Sequence, residues 1–500
     1  MIAVARHRLP FRLPGIVTVG AVAVGALLML GYGLWLLAAA VAVPVVLAVV
    51  SRPQRGVLLL AALLPFQGLL DLTNLPNSAW AWKEALAAAV LALTFVARPE
   101  IKGAPGRAVP RWTAALVGLM VVAVVSAAFT PRLQAAFGLK VYFFYTLVAL
   151  AVWRCPLDAA ERDHLVSILM GVGFVTAVYG IAQQVIGQWT LNSWGYVWGT
   201  DLRTTGPYLR SFSTFTQPFP FAYFLMLVII LGVSVSMGEP RRRRSRLFFL
   251  SLPVLGVALV FTFVRGAWLG TAIGLLYLAF RRHKVLVYGV PLVVVAFLFV
   301  PGGSFSTSAF DPASLNERTT GWQRRMDVLF EAPLGLGTGA TGAARERAEL
   351  QEAGFERSGL KWPEAATRDY QPDNWYVKVA FELGVLGLWL WIVLMVSMLV
   401  WSRRVEARVE GHDRDLVVAF GAFLLAAMVV SLVSTFFEIA PMDGYFWMLV
   451  GVVATIAPAL KARAPSRIPL RVPSDAFARP GSNRPGAGTR RPQRHRPPAS

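Results

Sequence analysis

Apolar residues in this chain come in long uninterrupted runs, not in the alternation of a strand or the one-sided stripe of a surface helix. Gly15 to Leu30, Leu34 to Val50 and Val285 to Val300 each approach or reach the length a helix needs to cross the hydrocarbon core of a bilayer, and such runs recur along nearly the whole sequence. They predict fourteen spans: 15–31, 33–50, 57–70, 82–97, 112–129, 135–153, 165–186, 219–237, 247–264, 267–280, 285–300, 375–401, 416–437 and 444–460. The stretches 57–70 and 267–280 are short enough to be tilted or re-entrant, so the expected range is twelve to fourteen. The expected fold class is all-α, a polytopic integral membrane protein with a large, partly helical extracytoplasmic loop.

The expected organisation is a cytoplasmic N-terminus (1–14), eleven spans over 15–300 with an outer loop at 187–218, a large extracytoplasmic loop (301–374), three more spans over 375–460, and a basic, Pro-rich tail (461–500). Arg6, Arg8 and Arg12 before the first run resemble the start of a signal peptide, but a second apolar run follows directly, so a retained first helix is expected. The tail lacks periodic apolar residues and is expected to be disordered and solvated or resting on anionic lipid heads.

Charge fixes the orientation. With the N-terminus inside, the cytoplasmic segments hold 33 of the 48 Lys and Arg, as the positive-inside rule requires. The net charge of +21 is thereby a topology signal, and no nucleic-acid partner is expected. Only 15% of residues are charged and 56% are hydrophobic, which excludes an ordinary soluble enzyme. The single cysteine, Cys155, cannot form an internal disulfide. Walker, GxSxG, HExxH and zinc-type spacings are missing, and all five histidines fall in segments expected in the cytoplasm or at its boundary.

The two long outer segments carry the candidate chemistry. In the larger one, Ser314 and Glu317 form a capping-box signal for a helix whose apolar positions include Leu315, Trp322, Met326 and Leu329. Arg265 interrupts the apolar run from Phe261 to Trp268; it is either functional or an arginine snorkelling to the interface. Arg210 precedes Ser213-Thr214-Phe215 and Pro218, and is either an interface anchor or, with Arg265, one of two guanidinium groups suited to a diphosphate. Pro333 to Gly339 places Gly335, Gly337 and Gly339 at alternate positions, which fits an anion-binding loop or a flexible connection. Asp373-Asn374-Trp375-Tyr376 opens a span with Glu382 about two turns inside; Asp373 is either a helix cap or a carboxylate able to accept a proton from a sugar hydroxyl.

In this order the motifs resemble the O-antigen ligase and O-antigen polymerase family of membrane glycosyltransferases: Arg210 with Ser213-Thr214-Phe215 and Pro218, Thr262 to Gly266 around Arg265, Arg318 with Trp322, Pro333 to Gly339, Asp373 to Tyr376 with Glu382-Leu383-Gly384, and Phe446-Trp447. The resemblance implies a polysaccharide polymerase or ligase without a metal, acting on an undecaprenyl diphosphate-type lipid-linked oligosaccharide and a glycan acceptor at the outer face of the cytoplasmic membrane, with other polysaccharide-assembly proteins as possible partners. It implies Asp373, Arg265 and Arg210 as catalytic residues and Arg318, Trp322, Asn374, Glu382 and Gly337 as substrate-binding ones. Ligases of the family typically carry histidine where this chain has Asp373, which favours a polymerase-like member and leaves Glu382 as a second candidate base. A transporter or flippase of lipid-linked sugars is the alternative, although no internal repeat of the kind common in transporters is visible.

Overall fold

In lipid the backbone must satisfy its own hydrogen bonds, so the apolar runs fold as helices and not as open strands. The computed structural model describes residues 46–73, 77–96, 109–199, 201–206, 208–288, 332–352 and 372–456. In chain order these hold α1 (Pro53–Leu63, continued by a 3-10 segment Leu64–Leu72), α2 (Trp82–Val96), α3 (Trp112–Ala127), α4 (Arg132–Phe143), α5 (Thr146–Arg154), α6 (Ala159–Ile186), α7 (Gln188–Ser193), a hairpin of β1 (Thr204–Thr205) and β2 (Tyr208–Leu209), α8 (Pro218–Gly238), α9 (Arg243–Phe261), α10 (Arg265–Arg281), α11 (Gly342–Glu352), α12 (Trp375–Glu406), α13 (Gly411–Val430) and α14 (Met442–Ile456). Among the described residues six helices are long and apolar enough to cross a membrane, or seven when the bent pair of α4 and α5 is taken as one span. The fold is the all-α, polytopic membrane class that the apolar runs predict.

A helix that is apolar on every side belongs in the middle of a bundle. That helix is α8, buried along almost its whole length and flanked by α6, α9, α10 and α13. Close approach of α10 comes from glycines at every fourth position, the small-residue spacing that lets membrane helices touch. A methyl group on Gly270 would press on Met226 of α8 and Val430 of α13, and one on Gly274 would press on Ile230. Outward-facing positions are apolar as well: Val117, Val121 and Val124 of α3, and Trp389, Ile392, Val396 and Val400 of α12, are exposed along one side of their helices. Rows of that kind are stable against lipid and not against water.

One end of the bundle is laced by ion pairs. Arg162 meets Asp413 through two hydrogen bonds of 2.9 Å, Arg244 and Arg242 share Asp163, and Arg281 pairs with Glu406, which ties α6, α9, α10, α12 and α13 together. This basic end contains segments expected to face the cytoplasm.

Most boundaries shift by a few residues, and three expected spans are bent, broken or cut short. The span expected at 135–153 is bent by 46° between α4 and α5. The one at 375–401 is one helix to Glu406 but breaks at Gly384, whose φ of 67° and ψ of −171° lie outside helical space. The one at 416–437 ends its helix at Val430, because the Ser431 hydroxyl turns back onto the Ala427 carbonyl while the Ser431 carbonyl accepts the Trp375 N–H. The expected spans 15–31 and most of 33–50 and 285–300, the helix signalled at Ser314, and the tail lie outside the described residues.

Candidate functional site

At the end of the bundle opposite the ion-pair lacing, the polypeptide around Arg210 is bolted to α6 by two glutamines. Gln183 Oε1 accepts the N–H groups of Phe212 and Ser213 while its Nε2 donates to the Ser213 carbonyl; Gln184 Nε2 donates to the Leu209 carbonyl and the Ser211 hydroxyl. The Ser211 and Ser213 hydroxyls donate to the Gly180 and Thr176 carbonyls, and Ser213 is held at a φ of 55°. A buried network satisfied to this degree fixes its backbone, and with it the Cα of Arg210.

Arg210 Nε donates to the Thr262 carbonyl at 3.3 Å, and the guanidinium lies 5.0 Å above the Phe219 ring. Its carbonyl partner belongs to the turn that launches α10. There Thr262 Oγ1 accepts the Val264 N–H, Phe263 takes a φ of 53°, and Arg265 becomes the first residue of the helix, exposed at its tip. A bulky residue in left-handed backbone is strained, and such strain persists where the surroundings over-determine it. Here the Tyr208 ring of β2 stacks on Phe263 with centroids 6.1 Å apart. Burial, then the nearby cations Arg203 and Arg265, push the Arg210 pKa down to about 10, against the pull of Tyr223. Cations close enough to lower the pKa of Arg210 share its electrostatic neighbourhood.

The second part of this end is the start of α12. Asn374, not Asp373, is the cap: its Oδ1 accepts the N–H groups of Tyr376 and Val377, and its Nδ2 donates 2.9 Å to the Leu432 carbonyl. Trp375 is fully buried against Tyr142, Trp391 and Phe437. Asp373 is thereby released from capping; it is exposed and makes no hydrogen bond or ion pair among the described residues. The same Ser431–Val433 turn that holds Asn374 and Trp375 also backs α10, since a methyl group on Gly266 would lie 3.3 Å from Val433 and 3.6 Å from the Tyr223 hydroxyl. Arg265 and Asp373 therefore flank one turn at one end of the bundle, with Arg210 joined to the same place through Thr262.

The glycine loop has another task. The N–H groups of Leu336 and Gly337 donate to the carbonyls of Phe381 and Glu382, Val385 N–H donates to the Pro333 carbonyl, and Ser126 Oγ adds a 2.9 Å bond to Glu382 O. The loop thus threads the break in α12 and supplies the partners its opened turn lacks. Gly337, expected to face an anion, spends its N–H on the helix instead. Glu382 is also displaced from the roles expected of it. Its carboxylate is fully buried, with Oε1 accepting from Lys378 Nζ at 2.7 Å and from the Thr341 backbone and hydroxyl, and Lys378 also pairs with Glu438 at 3.3 Å. A carboxylate enclosed in this way locks α12 to the loop. Arg318 and Trp322 lie outside the described residues.

Asp163, Glu239 and His412 are close enough together to hold a metal ion, but they stand at the other, ion-pair end and their carboxylates are already engaged by Arg242 and Arg244. Two residues at the candidate site escaped the sequence reading. Arg203 was detectable as the partner of Arg210 across the Gly206-Pro207 turn signal, and Lys378 as a lysine four residues before a glutamate inside an apolar span.

A family model described as O-antigen ligase matches residues 247–392, from α9 through Arg265 and the glycine loop to the middle of α12. None of the curated proteins matches the chain. Over residues 247–392, less than half of its 500 residues, the chain is thus similar to the O-antigen ligases.

Proposed function

We propose that this protein extends or hands on glycans carried by a polyprenyl diphosphate, at the outer face of the cytoplasmic membrane and without a metal. An acceptor sugar hydroxyl attacks the anomeric carbon of the donor. The new glycosidic C–O bond forms as the bond from that carbon to the diphosphate oxygen breaks, and the hydroxyl proton passes to the Asp373 carboxylate. The polyprenyl diphosphate leaves, and a single displacement inverts the anomeric configuration. Arg210 and Arg265 stabilise the charge that builds on the leaving diphosphate, because fixed cations aimed at developing negative charge need no reorganisation during the reaction. Asp373 stands where ligases carry histidine, and the reading is of a polymerase-like member.

The observation that carries this reading is the joining of Arg210 to the Arg265 turn through Thr262, at the end of the bundle remote from the basic lacing, with an uncommitted carboxylate across the Ser431–Val433 turn. By the positive-inside rule that end faces outward. The test is transfer by purified full-length protein supplied with labelled lipid-linked glycan. Arg265→Ala and Arg210→Ala lose transfer by about a hundredfold or more while remaining inserted, and Asp373→Asn loses transfer with donor still bound. Normal polymer from both arginine variants removes the diphosphate clamp from consideration, and relocation of donor without longer or transferred chains turns the reading to a flippase.

A further inference from the structure

The hairpin β1–β2 sets Arg203 directly opposite Arg210. Thr204 pairs with Leu209 and Thr205 with Tyr208, and the next rung is closed by the Arg210 N–H donating 2.8 Å to the Arg203 carbonyl. Residues facing each other across an antiparallel pair have Cβ atoms about 5 Å apart on the same side, and like charges there destabilise the hairpin. Arg203 is partly buried. Its Nε is buried without a hydrogen-bond partner, and burial lowers its pKa although Asp201 works the other way. Asp201 itself is occupied in accepting the Val197 N–H. The hairpin is also tied to the α10 turn, by the Tyr208–Phe263 stack and by the Ser211 N–H donating to the Phe261 carbonyl.

We infer that Arg203 is a third member of the anion clamp, facing the second phosphate of a diphosphate group while Arg210 and Arg265 hold the first, and that it makes the site select diphosphates over monophosphates. The inference rests on the clamp reading above. Two guanidinium groups satisfy one phosphate with paired hydrogen bonds, and a diphosphate brings further charge and further acceptor oxygens that a third guanidinium is suited to meet. A cross-strand pair of arginines is unfavourable while the site is empty and favourable once an anion lies between them, so its cost to the hairpin is offset only in the bound state.

The experiment measures binding of undecaprenyl diphosphate and of undecaprenyl monophosphate to the full-length protein in phosphatidylcholine nanodiscs. Loss of one charge-assisted contact costs about tenfold or more in affinity. Arg203→Gln therefore weakens the diphosphate about tenfold or more and leaves the monophosphate within about threefold, and Arg203→Lys, which keeps the charge but not the paired hydrogen bonds, recovers only part of the loss. Equal weakening for both lipids indicates a structural role and overturns the inference, as does no weakening for either. If Arg203→Gln does not insert, Arg203→Lys decides alone: a loss confined to the diphosphate supports the inference, and an equal or absent loss defeats it. Unmodified protein that binds neither lipid, or Arg210→Ala that binds both normally, defeats the clamp reading itself, whereas an unaffected Arg203→Gln beside a defective Arg210→Ala defeats only the role of Arg203.

Discussion

Replacing Lys378 by methionine tests the lock between the glycine loop and the broken helix. The ammonium lies 2.7 Å from Glu382 and 3.3 Å from Glu438, and all three side chains are at most 7% exposed. At an effective dielectric near 20, those separations correspond to attractions of about 6 and about 5 kcal/mol. Desolvation of the ammonium, several kcal/mol, offsets much of this. The variant also leaves the Thr341 carbonyl without the donor that now reaches it at 2.7 Å. Two buried carboxylates then face each other without a cation, a defect that costs about 3–5 kcal/mol, or about two to four decades in the folded-to-unfolded ratio. The assay is an SDS titration of the purified protein in mild detergent, followed by intrinsic tryptophan fluorescence, to which the buried, tilted pair Trp375 and Trp391 contributes. Adding Glu382→Gln removes one of the stranded charges, so the double variant is less destabilised than the sum of the singles. An Lys378→Met protein that unfolds at the wild-type midpoint, or strictly additive losses, would refute the argument that this pair closes the helix break.

Gly384→Ala forces a side chain into left-handed backbone and against the Pro333 carbonyl; strain of about 1–3 kcal/mol is expected, read as a lower melting temperature in detergent. Asn374→Ala removes the α12 cap at a cost of about 1–2 kcal/mol, while Asn374→Asp keeps the cap, loses the bond to Leu432 and falls between. Donor binding responds to alkali through Arg210, which faces Arg203, Arg265, Tyr223 and Phe219. Its depressed pKa means the cation is intact at neutral pH and is lost as pH rises through about 10, so affinity for a diphosphate lipid is level below that point and falls above it. The same depression implies mutual repulsion in the empty site, and Arg203→Gln is expected to leave thermal stability unchanged or raise it, a trade seen where function is held against stability.

The bundle was legible in the sequence because lipid demands long apolar runs, and α8 and α12 could be read almost directly from them. Helix breaks were less legible. Gly384 announces itself only as one glycine among many, and its meaning depends on a loop some fifty residues earlier in the chain, Pro333 to Gly339, arriving to supply N–H groups. Periodicity carries no information about such distant partners. For the same reason Gly337 and Glu382 read as ligand-facing residues: glycine spacing and an intramembrane carboxylate look alike whether they serve a substrate or the fold. Arg210 and Arg265 were visible as costly charges beside apolar runs, but the Thr262 carbonyl that holds Arg210 and the Ser431 and Leu432 carbonyls that hold the start of α12 are backbone features, and a backbone acceptor leaves no mark on residue identity.

That turn works as a ruler, main chain towards α12 and side chain towards α10. The start of α12 hangs on the carbonyls of Ser431 and Leu432, while α10 rests against Val433. The interval between the acid and the arginine is consequently set by two carbonyls on one side and the Val433 side chain on the other, while the outward-facing Leu432 side chain takes no part in it. Changes in the lipid-facing coat that spare Val433 thereby leave the interval between Arg265 and Asp373 in place.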